Sequence, residues 1–459
     1  MFSSIKTIHF VGIGGIGMSG IAEILLDQGF SVTGSDRALS EVTDRLRELG
    51  ATIMEGHRPE NISDVVDVLV YSSAVTLDNP EIVEAQRRKI PVIRRAEMLA
   101  EVMRLRYGIG IAGTHGKTTT TSMVSLVLME GKIDPTVIVG GKLSGLGGTN
   151  ARLGRGEFIV VEADEFDRSF LSLTPTIAVL TTLETDHLDC YRDLEDIKGA
   201  FVQFALKVPF YGFVVLCLDE PALLDILPTL KKKRVLTYGL NPQADIQATD
   251  IRHKDDTSTF TLMRHGSELG QVSIQVPGKH NIQNALAAIT VGLELGVPFE
   301  RVKTGIEKFA GVYRRWEKKG TVDGITLYDD YAHHPTECRA TLSGVKAGWR
   351  RRVVCVFQPH LYSRTRDFYE EFGKSFLLSD VLIVTDVYPA REEPIQGITG
   401  EIIVNAARQF GHKETHYVPD KKNVPAFLKS IVKKDDIVIT MGAGDIWKYG
   451  EEFLKQMSR

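Results

Sequence analysis

Short apolar, β-branched runs alternate with longer segments of helical periodicity along most of the chain. KTIHFV reads as a strand running into a glycine turn, IGMSGIAEILLDQG as a helix, and FSVTGSD and DVLVYSSAV as further strands. RAEMLAEVMRLR closes this series as a helix, and the alternation restarts at YGIGIAG. FIVVEAD, TIAVLTTL and GFVVLCL then read as buried strands, with HNIQNALAAITVGLELG and FERVKTGIEKF as helices. A second restart follows the basic cluster Arg314, Arg315, Lys318 and Lys319, where GITLYDDYA, RRVVCVFQ, DVLIVTDVY and DDIVITMGAG supply a last set of strands. Strands alternating with helices predict parallel, doubly wound sheets, because a parallel pair needs a crossover and a helix is the usual one. The expectation is an α/β protein of three tandem domains, residues 1–107, 108–313 and 314–459.

Composition agrees with that plan. At roughly 150 residues per domain, 459 residues make about three. A 43% hydrophobic, 25% charged chain has enough apolar material for several cores, which excludes disorder as the main state. Lys and Arg total 55 against 59 Asp and Glu, so no whole-chain attraction to nucleic acid or anionic membrane is expected. No apolar run approaches the ~18 residues of a membrane span. The start, MFSSIKTIHFVGIGG, goes directly into strand-like sequence without a leader pattern, and the expected location is the cytoplasm. Cys190, Cys217, Cys338 and Cys355 form no CxxC pair and read as buried apolar residues in a reducing compartment.

Gly113-Thr114-His115-Gly116-Lys117-Thr118 is the sharpest chemical signal, lying between a predicted strand and a Thr-rich helix. Glycines let backbone N–H groups converge on phosphate oxygens, and the helix start adds its dipole. Lys117 would then reach the β/γ-phosphates and Thr118 a Mg²⁺ ion. The loop is the short form GxxGKT, since Ile111 stands where the longer phosphate-loop pattern has glycine. Downstream, VEADEFD and TLETDHLD each end an apolar run, where a parallel sheet opens its ligand crevice. Glu162, Asp164 and Glu165 offer the hard oxygens Mg²⁺ prefers, and His187, between Asp186 and Asp189, is a candidate ligand of a second ion.

Near the amino terminus, Gly12, Gly14 and Gly17 spell GxGxxG after a strand, and Asp36 ends the next strand. The pattern places a pyrophosphate on that helix without saying whose, so an NAD(P)-dependent oxidoreductase stays open at this point. In the last third, DDYAHHPTE brings carboxylates and two histidines to a strand end, and QPHLYSRTRDF sets Arg364 and Arg366 after another strand, suited to a carboxylate or phosphate.

Taken in order, GIGGIGMSG, GTHGKTTTT, EADE, DHLD, GKHNIQNALAA, GVYRRWE, DDYAHHPTE and MGAGDI closely resemble the Mur ligase family over essentially the whole chain. The resemblance implies a Rossmann-like N-terminal domain holding a UDP-sugar, a central P-loop ATPase domain, and a Rossmann-like C-terminal domain that helps bind ATP and an amino acid. It implies ATP-dependent addition of L-alanine to the carboxylate of UDP-N-acetylmuramate through an acyl phosphate, with a peptide-adding ligase of wall recycling as the alternative. By position, Gly113 to Thr119 match the ATP phosphate site, and His280, Asn281 and Asn284 the adenine side. Arg315 matches a phosphate contact and Asp330 a ribose contact. Thr118 and Glu162 match ligands of one Mg²⁺, with Glu162 and His187 at a second. Lys117, Glu162, His187 and Arg315 are thereby the expected catalytic group. Gly12, Gly14, Gly15, Ile16, Gly17, Asp36, Ser72 and Ser73 match UDP-binding positions, which replaces NAD as the expected ligand. Tyr331, His333, Arg364 and Arg366 are the expected neighbours of alanine. Relatives that add later amino acids carry a carbamylated lysine beyond the DH histidine; here that stretch reads AFVQFA, and no such modification is expected. The partners implied are small molecules only, without nucleic acid or membrane insertion, and the oligomeric state is left open.

Overall fold

A computed structural model of the chain describes residues 5–72, 74–143, 149–185, 190–390 and 392–458. Three sheets organise them, met one after another along the sequence. The first consists of β1 (Thr7–Val11), β2 (Ser31–Asp36), β3 (Thr52–Glu55), β4 (Val68–Tyr71) and β5 (Val92–Arg94), all parallel, in the order β3-β2-β1-β4-β5. β1 is buried along its whole length, as a central strand with helices on both faces must be.

The second sheet runs through β6 (Tyr107–Ala112), β7 (Thr136–Leu143), β8 (Thr149–Arg152), β9 (Phe158–Ala163), β10 (Ile177–Leu180), β11 (Phe213–Cys217), β12 (Val235–Gly239), β13 (Ile246–Lys254), β14 (Thr257–Arg264) and β15 (Ser267–Ile274). β6 lies between β9 and β10, parallel to both, so the sheet's strand order reverses where β6 ends. The third sheet is β16 (Glu317–Val322), β17 (Ile325–Asp330), β18 (Val353–Phe357), β19 (Val381–Val384), β20 (Thr415–Tyr417) and β21 (Ile437–Met441), in the order β16-β17-β21-β18-β19-β20. Only its β16–β17 edge pair is antiparallel among the described residues.

The described chain forms two compact units. Met1–Thr249, Thr261–Val272 and Gln283–Phe309 make one, and Asp250–Phe260, Ser273–Ile282 and Ala310–Arg459 the other. Sequence reading assigns all of 108–313 to a single domain, whereas Asp250–Phe260 and Ser273–Ile282 group with the C-terminal residues. The reason is specific bonding within that unit. Trp316 Nε1–H and Tyr328 O–H donate to the two oxygens of Asp256, at 2.8 and 2.9 Å. Asp255 N–H donates to Gly348 O. A Cβ on Gly344 would lie 3.0 Å from the Gly278 Cα, so the backbones touch there. No helix among the described residues is long and apolar enough to cross a membrane.

Candidate active site

The loop after β6 is shaped by its glycines. Gly116 precedes the helix Lys117–Glu130 at φ +81°, in left-handed backbone that favours glycine. At Gly113 a Cβ would fall 1.9 Å from Thr181 Oγ1, so any side chain there would displace the residues after β10. Those residues clasp the loop: Thr114 N–H donates to Thr182 O, His115 N–H to Thr182 Oγ1 at 2.8 Å, and Thr181 Oγ1 donates to His115 O at 2.6 Å. No side chain caps the helix, leaving the N–H groups of its first turn, Thr118 and buried Thr119 among them, available to an anion.

Lys117 is folded back into this cradle. Its Nζ donates to Gly113 O at 2.6 Å and to Glu165 Oε2 at 2.7 Å. Burial pulls its pKa down, but Glu165, Asp164 and Glu162 together hold the ammonium above the ordinary lysine value. The side chains of Glu162 and Thr118 are hydrogen-bonded to each other, and Glu162 Oε1 accepts from Gly140 N–H at 2.8 Å. Burial raises the Glu162 carboxyl despite that N–H and Lys117. A hydroxyl paired with a half-buried carboxylate beside a phosphate loop is a donor set that fits Mg²⁺. Asn284, on the helix Lys279–Glu294, accepts from Thr120 Oγ1 at 3.1 Å, and its Oδ1 lies 2.5 Å from where a Gly116 Cβ would sit. His187 lies outside the described residues, as does Ser73.

Around this loop the structure gives one named residue a different task and adds two, Glu184 and Glu220, that the sequence reading does not single out. Glu165 was grouped with the metal oxygens, whereas its carboxylate holds Lys117. Glu184 approaches His115, with 3.7 Å between Oε2 and Nε2. Burial, and next Glu184, push the Glu220 carboxyl up to about 7. The acidic tail of the 180–184 strand end was a visible signal for Glu184; for Glu220 there was none.

In the first sheet, a cleft of about 710 Å³ opens over the ends of β1, β2 and β4. Gly12, Gly14, Gly15, Asp36 and Ser72 all line it, together with Ser40 and His57. Gly15 precedes the helix Ile16–Asp27 without a side-chain cap and without acidic residues in the first turn, again leaving donors for an anion. Asp36 Oδ2 accepts from Gly14 N–H at 2.8 Å, so this carboxylate ties the loop to β2. A Cβ on Gly17 would meet Arg95 Nη1 at 2.9 Å, so that glycine makes room for an arginine that pattern reading did not single out.

In the second unit, positive φ at Arg314 and Trp316 turns the chain sharply and sends the two arginines to different tasks. Arg314 is buried structurally, donating to Asp329 Oδ2, Gly442 O and Gly444 O. Arg315 donates to Glu337 Oε1 at 3.2 Å and stacks over Tyr331. Asp330 is more deeply engaged than a ribose contact requires. It accepts from Trp316 N–H, Ala332 N–H and Thr341 Oγ1, and burial raises its carboxyl to about 6 against the pull of Arg315. Tyr331, His333 and His360 follow one another edge to face, at 5.2 and 5.8 Å between rings. Arg364 is buried, whereas Arg366 turns outward to its neighbour Asp367, with Nε at 2.7 Å from Oδ1. The structure therefore separates the two arginines that the sequence grouped at the amino acid. Asn281 Nδ2–H donates to Pro277 O, and His280 lies against Gly278.

A strand–glycine loop–helix unit with a half-buried lysine and a hydroxyl–carboxylate pair defines a nucleotide-binding enzyme that works on phosphate. Family models extend this to the whole chain: the Mur ligase family catalytic domain matches residues 7–107, the Mur ligase middle domain 111–292, and the Mur ligase glutamate ligase domain 314–444. The chain belongs to the Mur ligase family. A UDP-N-acetylmuramate–L-alanine ligase of Geotalea uraniireducens is 56% identical over 457 residues, covering 100% of this chain and 99% of the relative. Among solved structures, the UDP-N-acetylmuramate-alanine ligase of Thermotoga maritima superposes with a TM-score of 0.82 at 30% identity, over 98% of this chain and 99% of that one. A murein peptide ligase of Psychrobacter arcticus reaches 0.70 at 25% identity, over 99% of each chain.

Proposed function

We propose that this protein is an ATP-dependent ligase that joins L-alanine to the carboxylate of UDP-N-acetylmuramate, the first amino-acid addition to this peptidoglycan precursor. The observation that carries the reading is the 56% identity to an alanine-adding ligase along the full chain. The muramate carboxylate attacks the γ-phosphorus of ATP, ADP leaves, and the resulting acyl phosphate is opened by the alanine amine with loss of phosphate. The chain has to bring two anions together, and Lys117 supplies positive charge where the transferred phosphoryl group would lie. Thr118 and Glu162 would hold Mg²⁺, which adds further neutralisation when bound. Glu165 keeps Lys117 charged and aimed before ATP arrives.

The cleft over Gly12 to Gly15 is assigned to the UDP-sugar, with Asp36 fixing the loop and Ser72 on its wall. Arg315, beside Tyr331, is assigned to phosphate contact; Tyr331, His333 and Arg364 are assigned to the amino acid, and Arg366 is left out. Domain limits of 1–107, 108–313 and 314–459 remain the proposed division of labour, with 250–260 and 273–282 serving the last. The need for ATP supports assigning the reaction to the cytoplasm. The test is phosphate release and amide formation with ATP, Mg²⁺ and UDP-N-acetylmuramate, offering alanine, serine, glycine or a tripeptide in turn. Turnover with alanine is expected. Turnover with the tripeptide alone would move the protein to the peptide-adding branch.

A further inference from the structure

A buried carboxylate outside the reaction site lies under the cleft of the first sheet. Glu81, in the helix Pro80–Arg87, is fully buried and accepts from several donors. Asn61 Nδ2–H and Arg58 N–H donate to Oε1. Ser35 Oγ lies 2.6 Å from Oε2, and His9 Nε2 is 3.3 Å from the same oxygen. Burial raises its pKa, but hydrogen bonds from His9, Ser35 and Asn61 outweigh that and keep the carboxyl below its ordinary value, hence ionised at neutral pH.

An ionised carboxylate only accepts, so the Ser35 hydroxyl must donate its one proton to Glu81. Ser35 Oγ also lies 2.8 Å from His57 Nδ1. With its proton already given to Glu81, the hydroxyl can only accept there, and His57 Nδ1 must carry the hydrogen. In the neutral ring this leaves Nε2 as a bare lone pair. That nitrogen makes no hydrogen bond to the described residues, and the ring is part of the cleft wall, just beyond β3 and beside the end of β2.

We infer that Glu81 is a positioning residue which, through Ser35, fixes the His57 tautomer so that Nε2 accepts a hydrogen bond from a donor on the nucleoside half of the bound sugar nucleotide. The inference rests on the reading of this cleft as the UDP-sugar site. It assigns specificity to the stretch of cleft wall that His57 forms beside Ser35: a ligand with an N–H or O–H there satisfies Nε2, and one without leaves a polar atom unpaired.

The test uses the full chain with imidazole nitrogens resolved by ¹⁵N NMR, together with steady-state kinetics. In alkaline buffer, wild-type protein should show the Nδ1–H tautomer at His57. Ser35→Ala, which removes one hydroxyl from a small buried side chain, should lose that preference. It should also raise KM for UDP-N-acetylmuramate about tenfold while kcat and KM for ATP stay within twofold. His57→Ala should do the same, and the double variant should be no worse than either single one, because both cut one chain. Glu81→Gln is the companion variant, read only if its thermal melt shows a folded protein. An Nε2–H tautomer in wild-type protein, unchanged KM in Ser35→Ala, or additive losses in the double variant would overturn the inference. The tautomer is measured without substrate. A wild-type enzyme that shows Nδ1–H but never forms the amide would therefore sink the functional reading and leave the relay standing.

Discussion

The molecule carries two glycine loops of the same plan, and on the proposed function their differences divide binding from chemistry. Each joins a central parallel strand to a helix with no side-chain cap, so each offers backbone N–H groups to an anion. The first loop is closed by a carboxylate, Asp36 on Gly14 N–H, and its helix begins without a lysine. The second loop is closed by hydroxyls and carbonyls after β10, and Lys117 lies inside it against Glu165, beside the Thr118–Glu162 pair. A loop whose anion only has to stay in place can tolerate a fixed negative group nearby. A loop whose phosphate gathers charge during reaction needs a mobile cation and metal oxygens.

Removing the cation should break this contrast most severely. Lys117→Ala is expected to lower kcat by about a thousandfold or more, while calorimetric affinity for UDP-N-acetylmuramate stays unchanged. A matching loss of sugar-nucleotide affinity would mean the two loops are not separate in function. Glu162→Gln should follow, with turnover reduced on the order of a hundredfold and the Mg²⁺ requirement moved to higher concentration in a metal titration. An unaltered Mg²⁺ dependence would take Glu162 out of the metal site.

In the first loop, Gly14→Ala places a Cβ 2.9 Å from Asp36 Oδ2. Roughly tenfold weaker binding of UDP-N-acetylmuramate is expected, with kcat preserved at saturation, because the change disturbs positioning alone. A fall in kcat at saturating substrate would contradict that division.

The smallest effect concerns stability near the second loop. Glu220 has its folded pKa raised to about 7, so between the ordinary carboxyl range and pH 7 the folded state holds more protons than the unfolded one. Stability from this group is therefore present at low pH and lost as pH rises through 7. Glu220→Gln should flatten that slope and stabilise the protein at pH 8 by roughly 1 kcal/mol, a figure reduced for the group's partial exposure. Denaturant melts from pH 5 to pH 8 would show it, and an unchanged slope would exclude Glu220 as its source.

Much of the site was legible because its chemistry is local. Gly113 to Thr118 are consecutive residues, and their strand-before, helix-after setting follows from periodicity alone. Glu162 could be named because parallel strands end on one side of a sheet, and an acidic residue at such an end faces the crevice. The arginine pairs were harder. Arg364 and Arg366 are two residues apart in sequence, yet helical geometry buries the first and exposes the second. Arg314 and Arg315 are neighbours divided by a backbone turn of positive φ that composition does not announce.

From the residues alone followed the alternation of strand and helix, the two loops that attract phosphate, the placement of acids at strand ends and the membership of a ligase family. The first three depend on spacing within a few residues, where chain geometry is nearly invariant, and the family rests on the resemblance of the ordered motifs along the whole chain. Folding alone decided which carboxylates hold structure and which face the reaction. Glu81, Glu165, Asp256 and Asp330 carry the same functional group, but burial and the donors brought from distant segments give each a different task, because an ionised oxygen in a low-dielectric interior is defined by whatever is near enough to bond it.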